Sequence, residues 1–177
     1  MACELNPGIR HTIHYFPGRE SAILMTIQKL EQLLKSFELK NHGINHGCEY
    51  AMYRLPDHAD LAASLDQYFS GLHTSRTPAQ PAEHWHITCR SLGSDWDLIL
   101  RQRLIYWFFE SEFSRVADET TKQHVVAQTL EAIHSVTGAL HVSEVMVSPP
   151  MWYDCKWQDF AFASSTGKWL LHLGFSD

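Results

Sequence analysis

The chain has 177 residues and a mass of 20.4 kDa, enough for one domain with a core of ordinary size. Hydrophobic residues at 45% and charged residues at 19% exclude disorder for most of it, and the longest apolar run, the six residues Leu104 to Phe109, falls far short of the ~20 that a membrane-spanning helix needs. With 14 basic against 20 acidic residues the formal charge is −6, which disfavours nucleic-acid binding and suits a basic protein partner.

Residues Met1 to Arg10 contain Glu4 and Pro7 and no apolar stretch, so no secretion signal is expected and the chain reads as cytoplasmic. Between Glu20 and Lys40, Ile23, Ile27, Leu30, Leu34 and Phe37 recur at spacings of four and three, which predicts an amphipathic helix. Glu31 and Lys35 are placed for a supporting ion pair, and Asn41-His42-Gly43 for a left-handed stop. Cys48 to Leu55, rich in Tyr, reads as a strand. A second helix follows, which Asp57 can cap, with Asp60 in its first turn and Leu61, Leu65, Tyr68 or Phe69 and Leu72 at helical spacing.

His73 to Glu83, with Pro78 and Pro81, is a connector and the place where a single domain could divide into two small lobes. His84 to Leu92 is predicted as a strand with His84, His86, Thr88 and Arg90 on one side and Trp85, Ile87, Cys89 and Ser91 on the other. Leu98 to Phe113 reads as a largely buried helix, and Ala117 to Thr137 as a better patterned one stopped by Gly138. Three strands close the chain: Leu140 to Val147, then Trp157 to Ala163 and Lys168 to Phe175, the last two joined as a hairpin by Ser164-Ser165-Thr166-Gly167. This order argues an α+β fold, an antiparallel sheet with helices packed on one face.

The signals for chemistry are sparse. Nucleophile-elbow, phosphate-loop and dinucleotide glycine motifs are missing from the sequence, and no cofactor is expected. The four cysteines are widely spaced, without a Cys-x-x-Cys pair, and are expected to be reduced thiols. His84 and His86 alternate on a strand and could share a metal if His42, His46 or Cys48 met them, but Cys89 falls on the opposite face; no metal is the base expectation. The 12 histidines would carry the charge from −6 to +6 if all were protonated, so charge-driven contacts should respond to mild acid.

Two family resemblances follow from these residues. His86-Ile87-Thr88-Cys89 looks like the first active-site strand of the two-histidine phosphoesterases, which act on phosphodiesters. That likeness implies an enzyme with His86 and Thr88 on one strand and His141 and Ser143 on another. Trp152-Tyr153-Asp154, Trp157-Gln158-Asp159-Phe160-Ala161-Phe162 and Gly167-Lys168-Trp169-Leu170-Leu171-His172 resemble the closing hairpin of bacterial immunity proteins, which neutralise a toxin, often a nuclease. This second likeness implies a non-catalytic binder of a basic toxin. Trp152, Tyr153 and Asp154 follow the rigid Pro149-Pro150 pair and are the expected anchors, with Asp159 and Glu144 as acidic contacts. It is the preferred reading, because an acidic, aromatic-rich chain complements the basic cleft of a nucleic-acid enzyme.

Overall fold

The computed structural model describes residues 17–76, 85–112, 114, 117–139, 141–149 and 153–176. Among the described residues four α-helices and five strands follow in the order α1 (Pro17–Asn41), β1 (Gly47–Arg54), α2 (Leu61–Arg76), β2 (His86–Ser91), α3 (Trp96–Ile105), α4 (Glu119–Thr137), β3 (His141–Ser148), β4 (Lys156–Ser164) and β5 (Gly167–Ser176). The strands form one antiparallel sheet in the order β1-β5-β4-β3-β2, an α+β fold. Among the described residues no helix is long and apolar enough to cross a membrane.

Period-two alternation divides the sheet into two differently built faces. On the first face Tyr50, Met52, Val142, Phe160, Phe162, Leu171 and Leu173 are buried beneath α1, α3 and α4. Helix α1 contributes Leu30, Leu34 and Phe37, the stripe its periodicity announces, and the Phe37 ring stacks on Phe108 at 4.5 Å. The second face is covered too, by α2, whose Leu65 and Phe69 pack on Val145, Ala161 and Leu170 with Trp85 and Tyr153 beside them. Three helices thus lie on the expected face, and α2 seals the other.

Several local expectations change. Asp60, not Asp57, caps α2, its carboxylate accepting from the Ala63 amide at 2.7 Å. Lys35 pairs with Glu38 rather than Glu31. Gly43 is not left-handed; the positive-φ glycines among the described residues are Gly93, Gly138 and Gly167, of which Gly138 ends α4 as expected. The apolar stretch after α3 does not continue as an α-helix but widens into a π-helical turn, Tyr106–Glu110. The chain leaves the helix at Ser111, so the carbonyls of Trp107 and Phe108 have no amide in a following turn, and buried Asn41 donates to both at 3.2 Å while the Tyr50 hydroxyl donates to the Trp107 carbonyl at 2.9 Å. Helix α2 runs past His73 to Arg76; the connector's remainder, 77–83, lies outside the described residues.

A buried carboxylate and histidine cluster as candidate functional site

The hairpin turn Ser164–Gly167 sets the β4–β5 register and so brings Asp159 directly opposite His172 on the α2-covered face. Both are sealed from water, Asp159 at 0% and His172 at 3% exposure. The His172 ring reaches a carboxylate from each nitrogen, Nδ1 to Asp159 Oδ1 at 2.7 Å and Nε2 to Asp154 Oδ2 at 2.9 Å. The Tyr153 hydroxyl donates to Asp159 Oδ2 at 3.2 Å and lies 3.1 Å from His172 Nδ1. Phe69, Trp85 and Trp157 wall in the Tyr153 ring at centroid distances of 5.9, 5.4 and 5.4 Å.

Electrostatics follow from that enclosure. Burial works against a charged imidazole, but the bonds to Asp154 and Asp159 outweigh it and hold His172 up to about 10. His172 is therefore an imidazolium near neutral pH, donating from both nitrogens. Burial pushes the Asp159 carboxyl up, against the pull of His172. The Tyr153 phenol is raised as well, by burial first and then by the Asp159 charge, so it stays a neutral donor. Gly174 makes room for the arrangement: a Cβ there would lie 2.5 Å from Asp154 Oδ2 and 2.7 Å from His172 Nε2. The Cys155 amide donates to the Phe175 carbonyl at 3.0 Å, so the segment entering β4 is pinned to the end of β5.

With both ring nitrogens occupied, His172 has no lone pair to offer a substrate proton. What this cluster can do is hold: it fastens residues 153–155 to the hairpin beneath α2. A second polar chain lies on the first face, where Trp107 Nε1 donates to Gln158 at 3.2 Å, Gln158 donates to Glu144 at 2.8 Å, and Arg90 is ion-paired with Glu144. Burial raises the Glu144 carboxyl but the bonds from Gln158 and Arg90 prevail, leaving it below the usual carboxylate range.

Of the residues singled out from the sequence, Tyr153, Asp154 and Asp159 come together, but as parts of this internal cluster. Tyr153 at 6% exposure and Asp159 at 0% offer no side chain to a partner, which corrects their reading as surface anchors. Trp152 lies outside the described residues. Glu144 is largely buried, its carboxylate shared between Gln158 and Arg90.

The two-histidine arrangement is not assembled. Strands β2 and β3 are neighbours, but His86 pairs with Ser148, so His141 sits seven residues away along the ladder, roughly 24 Å at ~3.4 Å per residue. The register also places Thr88 opposite Met146, which puts His86 and Thr88 on one face and His141 and Ser143 on the other. The metal grouping fails for a similar reason. His42 and His46 both precede β1 and His86 is on β2, the opposite edges of the sheet, about 19 Å apart at ~4.8 Å per strand; His84 lies outside the described residues. His46 instead bonds the Asn41 carbonyl at 2.9 Å.

Sequence reasoning missed His172 as a site residue, and the signal was present. It is a histidine inside the run Leu170-Leu171-His172-Leu173, in register with an aspartate across a legible hairpin. No protein-family model, curated protein or solved structure matches this chain.

Proposed function

We propose that this protein acts by binding rather than by catalysis, as an immunity protein that neutralises a basic, nuclease-type toxin domain by covering its cleft. The observation that carries this reading is the placement of charge. Asp159 and His172 of the closing hairpin are spent on internal bonds, while most of the acidic side chains among the described residues are exposed. Glu110, Glu112, Asp118 and Glu119 are all exposed where the π-helical turn leads into α4, with Lys122 held by Glu110 among them. A corner of this kind steers a basic cleft toward it, and the attraction is screened over ~8 Å at physiological ionic strength. The resemblance of the hairpin to immunity proteins supports the same reading, with Tyr153, Asp154, Asp159 and His172 serving to keep the hairpin in shape.

The test is to mix the chain with basic nuclease toxin domains, taken first from any reading frame that adjoins its own gene. A one-to-one complex, loss of nuclease activity and an association rate that falls with added salt are expected. Converting Glu110, Glu112, Asp118 and Glu119 to their amides should slow association at low salt by about tenfold or more. A nuclease that stays fully active in the mixture, or an association rate indifferent to salt, overturns the proposal.

A further inference from the structure

Strand β2 ends the sheet, and its outer side is free among the described residues. The Leu92 amide donates to the Val142 carbonyl at 3.0 Å, in line with the β2–β3 register. In an antiparallel ladder the bonding residues alternate, so His86, Thr88 and Arg90 direct their amides and carbonyls to β3, and Ile87, Cys89 and Ser91 direct theirs to the open edge. Of the side chains on β2 only Ile87 is partly covered; the other five are exposed, so the approach is clear from both faces. Edges of this sort are ordinarily blunted by proline, a bulge or a free charge. Here the strand reads His-Ile-Thr-Cys-Arg-Ser, and its one fixed charge, Arg90, is drawn to Glu144 on the neighbouring strand.

We infer that β2 is a self-pairing edge: a second copy of this chain adds its own β2 antiparallel across a two-fold axis, giving one continuous sheet through both protomers. Self-complementarity selects this occupant. A two-fold perpendicular to the sheet keeps each face on its own side, so only residues of like parity can oppose one another. Centring the axis on Thr88 would set His86 against the partner's Arg90 and leave Ser91 unpaired. Centring it on Arg90 would set the two guanidinium groups against each other. Centring it on Cys89 pairs Ile87 with the partner's Ser91 and Thr88 with the partner's Arg90, and every outward amide and carbonyl of both strands finds its complement. That register opposes no like charges. It also places Cys89 beside the partner's Cys89 in a hydrogen-bonded pair about 5.5 Å apart at Cα, inside the window a disulfide spans. This inference does not depend on the toxin reading.

The experiment uses the full chain alone. Light scattering over a concentration series should show a dimer, and diamide should convert it to a covalent dimer, two thiols giving up their hydrogens to the reagent's N=N bond and becoming one disulfide. The covalent product should vanish in Cys89→Ser and persist in Cys155→Ser. Cys89→Pro removes an outward donor without touching the β2–β3 bonds, so it should be monomeric with a near wild-type melting temperature. Should that variant fold poorly, the diamide comparison decides alone. A wild-type chain that stays monomeric at millimolar concentration, as it would if the edge served a foreign strand, overturns the inference. So does a dimer that survives Cys89→Pro, or a cross-link that survives Cys89→Ser.

Discussion

The two faces of the sheet each carry a charged network, and the two differ in one variable, access to water. Beneath α2, His172 and Asp159 are 3% and 0% exposed and every polar atom of the imidazole is committed to Asp154, Asp159 or Tyr153. On the other face the Arg90–Glu144 pair joins a side chain 62% exposed to one 14% exposed. Both would be drawn as salt bridges, yet the closed network has no solvent to fall back on when a partner is lost, and the open one does. Enclosure, more than distance, decides which of them the fold depends on.

The largest effect should therefore come from His172→Ala. It leaves Asp154 and Asp159 facing each other without the cation that compensates them, and breaking a buried pair in this way costs about 3–5 kcal/mol. Urea denaturation of the single variant measures it. Replacing His172 and Asp159 together by Leu should recover part of the loss, because an apolar pair needs no charge compensation. A single variant as stable as wild type would mean that the cluster contributes no anchoring.

The same network should give stability a pH dependence of definite sign. The imidazole is held up to about 10 in the folded chain against an ordinary value of 6.5. A raised pKa means that the folded state holds the proton more tightly, so the contribution of His172 is complete below pH 6.5 and is lost as pH climbs toward 10. Unfolding free energy measured across that interval should fall for wild type and run flatter in His172→Ala. A wild-type profile rising over the interval would contradict an imidazolium held between carboxylates.

Much of this comparison was legible before any coordinates. Helix α1, the hairpin and the stop at Gly138 follow from periodicity and turn chemistry, because local rules suffice for them. The hairpin turn also implies that Asp159 faces His172. What local rules could not supply was enclosure. Alternation marks Asp159 and His172 as the non-core side of their strands, and only the arrival of α2 from far along the chain turns that side into a second interior. The π-helical turn was hidden for a related reason: its unpaired carbonyls are met by Asn41 and Tyr50, which come from other elements, together with the nearby Ser114 hydroxyl. The His86 and His141 pairing failed on sheet order and register, which the spacing of two short motifs does not encode.

The smallest effect should come from the open network, and Glu144→Gln isolates it. The substitution keeps an oxygen that can accept from Gln158 and replaces the carboxylate oxygen facing Arg90 with an uncharged NH2, so the charge and that one acceptor go together. Because the guanidinium is mostly in water, it recovers its solvation when the carboxylate is neutralised, and exposed pairs of this kind are worth ~0–1 kcal/mol. Added salt should shrink even that difference, since screening acts on the exposed end of the pair and leaves the closed cluster on the other face untouched. Urea midpoints of wild type and Glu144→Gln at low and high salt supply the measurement. A loss approaching that of His172→Ala would mean that Glu144 is as enclosed in solution as Asp159, and that the contrast between the two faces does not hold.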